Sequence, residues 1–113
     1  MRKVKVKICG LKRAQDIECV NSLLPDYIGF VFAKTKREVT EQQAAQLKAM
    51  LNPQIKAVGV FVNAEIDKII RLAESRTIDI IQLHGDEDAA YCERLRLQTE
   101  LPIIKAVRVK DAG

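Results

Sequence analysis

Five short apolar runs, several of them dominated by β-branched residues, recur along the chain at the spacing of one strand plus one helix. They cover residues 4–9, 27–32, 57–62, 78–83 and 103–109, and their starts lie about 23, 30, 21 and 25 residues apart. Gaps of that size are too long for hairpins and fit helical crossovers between parallel strands. The intervening segments have helical patterns. Residues 13–24 carry Ile17, Val20 and Leu24 at helical spacing. The second helix opens on Thr40-Glu41-Gln42-Gln43, a capping box, continues through Ala44, Leu47 and Leu51, and stops at Pro53. Asn63 and Asp86 are placed to cap the third and fourth helices. The third is expected to bury Ile66, Ile69, Ile70 and Ala73, and the fourth to present Tyr91, Cys92 and Leu95.

This order predicts an α/β fold with parallel strands and right-handed crossovers in one domain of 113 residues. Two architectures remain open at this point. One is a doubly wound open sheet, which five strands complete. The other is a (β/α)8 TIM barrel, which takes roughly 200 residues or more. The turn after the first run, Gly10-Leu11-Lys12-Arg13, carries a single glycine, so neither G-x-G-x-x-G nor a Walker loop is present.

Composition excludes several classes. Apolar residues at 48% and charged residues at 30% suit a soluble globular chain. The net charge of +4 is spread among mixed signs, without a nucleic-acid-binding motif, and suits an anionic small substrate. No nucleic acid and no membrane partner is expected. Cys9, Cys19 and Cys92 are odd in number and form no C-x-x-C pair, so neither a disulfide framework nor a zinc site is indicated and a reducing cytoplasm is expected. Cys19 and Cys92 lie on helix faces and read as packing residues.

Ile8-Cys9-Gly10 is the chemical feature. A thiol at the last position of a strand, followed by glycine, stands at the carboxyl edge of a sheet, where α/β proteins bind ligands. Alternation puts Lys5, Lys7 and Cys9 on one face, where a cation such as Lys7 would favour a thiolate.

Lys7-Ile8-Cys9-Gly10-Leu11, Gly29-Phe30-Val31-Phe32, Lys36-Arg37, Val58-Gly59-Val60-Phe61-Val62-Asn63, Gln82-Leu83-His84-Gly85-Asp86 and Ile104-Lys105-Ala106 follow in that order. Together they resemble the phosphoribosylanthranilate isomerase family, (β/α)8-barrel enzymes of tryptophan biosynthesis. The resemblance runs over essentially the whole chain. It implies an Amadori rearrangement of N-(5-phosphoribosyl)anthranilate to 1-(2-carboxyphenylamino)-1-deoxyribulose 5-phosphate, with no cofactor and no metal. It also implies that Cys9 is the general base and that Arg37 holds the anthranilate carboxylate. Gln82 and His84 are candidate pocket residues, and a structural role for His84 stays open. The sister isomerase of histidine biosynthesis would be expected to carry aspartate at position 9.

The resemblance also implies departures. The loop of residues 33–38 is slightly short, with Glu38 where an aromatic residue is frequent. The family's general acid and phosphate-binding loops come from later strands, and Asp111 does not match the acid. Residues 1–113 are therefore expected to be the N-terminal part of one barrel domain, about five βα units, with little or no activity alone. Open barrel edges would invite self-association, or a half-barrel completed by a second chain. A non-catalytic α/β interaction module is the alternative.

Overall fold

The computed structural model describes residues 7–105. Residues 4–6 of the first expected strand, residues 106–109 of the fifth and Asp111 lie outside the described residues. The elements run β1 (Lys7–Cys9), α1 (Ala14–Leu23), β2 (Tyr27–Val31), α2 (Glu41–Met50), β3 (Lys56–Phe61), α3 (Ile66–Glu74), β4 (Ile80–Leu83), α4 (Ala89–Arg96) and β5 (Ile103–Lys105).

All five strands are parallel and lie side by side in chain order, β1-β2-β3-β4-β5. A doubly wound sheet reverses its order at a switch point so that helices cover both faces. Here nothing reverses, and the helices gather on one side. Ile28 and Phe30 of β2, Ala57 and Phe61 of β3, and Ile81 and Leu83 of β4 alternate onto that side. They join Ile17, Val20, Ala44, Leu47, Ile69, Leu72 and Leu95 of the helices in one buried cluster. The rings of Phe32 and Phe61 stack with centroids 5.2 Å apart.

The opposite face carries the other half of each alternation. Cys9 pairs with Gly29 and Gly29 with Val58, while Val60 pairs with Gln82 and Gln82 with Ile104. This face is concave. The Lys7 ammonium on β1 donates to Gln82 Oε1 on β4. In a flat sheet those strands would stand about 14 Å apart with side chains parallel. Curvature and strand tilt bring them together. A singly wound, curved, parallel sheet under one layer of helices is the wall of a (β/α) barrel.

The Thr40 capping box forms as expected: Gln43 N donates to Thr40 Oγ1 and Thr40 N to Gln43 Oε1, each at 3.0 Å. Other expectations are corrected. Leu24, expected in the α1 stripe, is the left-handed C-cap (φ 49°) and is 51% exposed. In α3, Ile69 is buried, but its partner is Leu72; Ile66 and Ile70 pack at the margin. The N-cap of α4 is Asp88, which accepts from Tyr91 N, and that of α3 is Glu65. Asn63 and Asp86 lie further back and bond to each other (Asp86 N to Asn63 Oδ1, 2.9 Å). Cys92 packs against the core, but Cys19 is exposed.

At the amino-terminal rim of the sheet, Asn21 ties α1 to the end of α2, donating to Met50 O and accepting from Asn52 N at 2.8 Å. Asp79 accepts from Ala57 N and pairs with Lys48. Two stability measurements check this account. Thr40→Ala is expected to cost about 1 kcal/mol in urea unfolding through loss of the cap. Phe61→Ala is expected to cost about 3–5 kcal/mol, because the cavity opens at the centre of the sheet–helix layer.

Candidate active site

The carboxyl ends of the strands form the opposite rim. Cys9 ends β1 with its thiol exposed on the concave face. Its neighbour across the ladder is Gly29, and a Cβ there would stand 2.7 Å from the sulfur. The missing side chain on β2 is therefore what makes room for the thiol. Gly10 follows in the left-handed region (φ 84°) and donates to Gly29 O at 3.0 Å, turning the chain sharply out of the strand.

Arg37 lies over that turn. A Cβ on Gly10 would meet Arg37 Cδ at 2.5 Å and Nε at 3.3 Å. The loop after β2 is held in this position from several sides. Lys12 Nζ donates to Lys36 O (2.9 Å), Arg37 N to Thr35 Oγ1 (3.1 Å), and Val39 N to Val31 O (2.9 Å). Among the described residues no carboxylate pairs with Arg37. The exposed Cys9 thiol and the Arg37 side chain therefore meet the chain at consecutive residues, Cys9 and Gly10, where it leaves β1. A guanidinium grips a carboxylate through two parallel hydrogen bonds.

Gln82 sits half-buried on the same concave face, engaged by Lys7. His84 follows β4, exposed at the rim, with its backbone N–H on Phe61 O at 2.8 Å. The fold thus brings Cys9 and Arg37 together at the β1 corner and sets Gln82 and His84 on the β4 wall. Lys105, part of the sequence motif, does not face the axis; paired with Leu83, it points to the helix side.

Glu87 is the residue that sequence reasoning missed. Its side chain is 0% exposed. Oε2 accepts from Asn63 N (2.8 Å), and Oε1 accepts from Gly85 N (2.9 Å) and Lys105 Nζ (2.8 Å). Burial works to raise its pKa, but the Lys105 ammonium and the backbone donors outweigh that and hold the carboxyl below its ordinary value of 4.5. Beside it, the Tyr91 hydroxyl donates to Ala64 O at 2.6 Å. Burial, with the charge of Glu87, pushes Tyr91 up to about 12. The sequence offers only an acid just past a strand end, next to Asp86, where the fourth helix is expected to start. Among the described residues no group of His, Cys, Asp and Glu is arranged to hold a metal ion, and no helix is long and apolar enough to cross a membrane.

The family described as N-(5'phosphoribosyl)anthranilate (PRA) isomerase matches residues 6–112. The chain is 51% identical over 107 residues to the N-(5'-phosphoribosyl)anthranilate isomerase of Endomicrobium trichonymphae, covering 95% of this chain and 54% of that protein. It is 50% identical over 108 residues to the isomerase of Lachnoclostridium phytofermentans, covering 96% and 50%. A solved phosphoribosyl anthranilate isomerase in complex with reduced 1-(o-carboxyphenylamino)-1-deoxyribulose 5-phosphate superposes with a TM-score of 0.83 at 36% identity, over 96% of this chain and 56% of that one. The chain spans about half the length of the curated relatives it matches.

Two experiments check the geometry. Gly29→Ala is expected to cost about 1–3 kcal/mol by forcing the Cys9 sulfur from its rotamer. In a Cys9→Ala background most of that penalty should vanish, as a double-mutant cycle would show. For Glu87, a folded-state pKa below 4.5 means a stabilisation present above that pH and lost as pH falls through the folded value. Glu87→Gln should be less stable than the parent at neutral pH, and the gap should close on acidification below about pH 4.5.

Proposed function

The chain belongs to the N-(5'-phosphoribosyl)anthranilate isomerase family, and on that basis we propose that it supplies the Cys9–Arg37 part of a site for the Amadori rearrangement of N-(5'-phosphoribosyl)anthranilate. The observation that carries this reading is the Arg37 side chain lying against Gly10, the residue next to Cys9, with no carboxylate paired to it among the described residues. The anthranilate carboxylate seats in the Arg37 fork. An acid protonates the ribose ring oxygen, and the ring opens to a Schiff base. The Cys9 thiolate takes the proton from the adjacent sugar carbon. The electron pair left on that carbon forms an enolamine, which tautomerises to the aminoketose. Gln82 and His84 line the facing wall of the pocket. The net positive charge of the chain favours this anionic substrate. A base that works as a free thiolate suits the reducing cytoplasm.

The acid and the phosphate-binding loops belong, by the resemblance, to later strands of a complete barrel. The 113-residue chain alone is accordingly proposed to turn over little or no substrate. The outer strands β1 and β5 and the exposed Ile104 on the concave face (49%) favour association with a complementary half or a second copy.

The test uses substrate generated in situ. The chain alone should give near-background turnover, and addition of the C-terminal half of the Endomicrobium trichonymphae relative should restore it. In the restored assay Cys9→Ala should lower kcat by about 10²–10⁴-fold, the scale of a lost general base, and Arg37→Ala should act mainly through KM. Turnover by the chain alone at the level of a complete barrel would overturn the assignment of acid and phosphate site to later strands. Retained activity in Cys9→Ala would remove the base.

A further inference from the structure

Three segments meet at Glu87. Its fully buried carboxylate collects a backbone donor from the loop after β3 (Asn63), another from the loop after β4 (Gly85), and the Lys105 ammonium from the end of β5. Two return contacts close the assembly: Lys105 Nζ also donates to Gly85 O (2.6 Å), and Asp86 N donates to Asn63 Oδ1 (2.9 Å). The loops are pressed together as well. A Cβ on Gly85 would stand 3.0 Å from both Asn63 Oδ1 and Val62 Cγ1. No buried side-chain nitrogen or oxygen is left without a partner among the described residues.

A buried ion pair of this kind adds little net stability over apolar packing of the same volume. Its use lies in where it stands. Gly85 directly follows His84, and His84 and Gln82 end the β4 wall of the mouth. We propose that Glu87 is the positioning residue of this rim: it locks the loops after β3 and β4 and the end of β5 into one arrangement and so fixes where His84 and Gln82 stand relative to Cys9. The inference rests on the reading of the mouth as the substrate site.

The charge is essential to the geometry. Two carboxylate oxygens receive three N–H donors. In Glu87→Gln one of those oxygens becomes an NH2 group, so a donor must face a donor whichever way the amide turns. The ¹⁵N-labelled chain tests this by amide hydrogen exchange and by the His84 ring signals. In Glu87→Gln, exchange at Asn63, Gly85 and Asp86 should accelerate about tenfold or more, as for local opening, while Phe30 and Val58 exchange as in the parent. The His84 ring resonances should shift or broaden. Lys105→Met leaves the backbone donors in place and should loosen the same amides, which keeps the test decisive should Glu87→Gln fail to fold. Unchanged exchange and His84 signals in a folded variant would overturn the proposal. So would acceleration by one common factor throughout the sheet, which is what a general stability role predicts. No substrate enters the measurement, so its failure is separate from failure of the isomerase reading, which the turnover assay decides.

Discussion

Each strand must bury one side under helices, and winding in a single direction puts that side on the same face for every strand. The apolar half of each alternation is used up beneath α1 to α4. The other half has to converge on the concave face, and every loop that follows a strand has to emerge on one rim. Residues far apart in sequence, Cys9 and Arg37 at one corner and Gln82 and His84 on the facing wall, share a mouth for this reason alone. The bond from Lys7 to Gln82 across two intervening strands is a direct expression of that curvature.

Features set by local spacing were legible in the sequence. The period of the strands, the Thr40 box and the Ala44-Leu47-Leu51 stripe all depend on residues a few positions apart. The choice between an open sheet and a barrel did not come from periodicity. It came from resemblance, and the unreversed strand order supports it physically. The caps at Asn63 and Asp86 were misassigned because each residue had a better partner in the neighbouring loop, 23 positions away. Short polar side chains near a helix start compete among several backbone donors, and the sequence does not rank donors that only the fold brings near. Glu87 was invisible for the same reason: its partners come from three segments. Gly29 carried a readable signal, since a glycine inside a strand marks a close approach, but what approaches it was not readable.

Charge is distributed with a purpose that the net figure hides. Arg71 is held by Glu41 in a two-pronged pair, and that pairing lowers the Glu41 pKa. Asp16 is lowered chiefly by the backbone amide of Lys12. Lys48 and Lys105 have acidic partners of their own. Exposed pairs such as Arg71–Glu41 contribute little to folding. Among the described residues Arg37 has no acidic partner, so an incoming anion meets its guanidinium without displacing one.

Asn21 and Asp79 hold the far rim by contacts that share no atom with the mouth. The two ends of the sheet are therefore separable in design. A fusion partner, a fluorescent tag or a relocated terminus belongs in the turns below the strands. There it would load only the scaffold and leave the rim that carries Cys9 and Arg37 untouched.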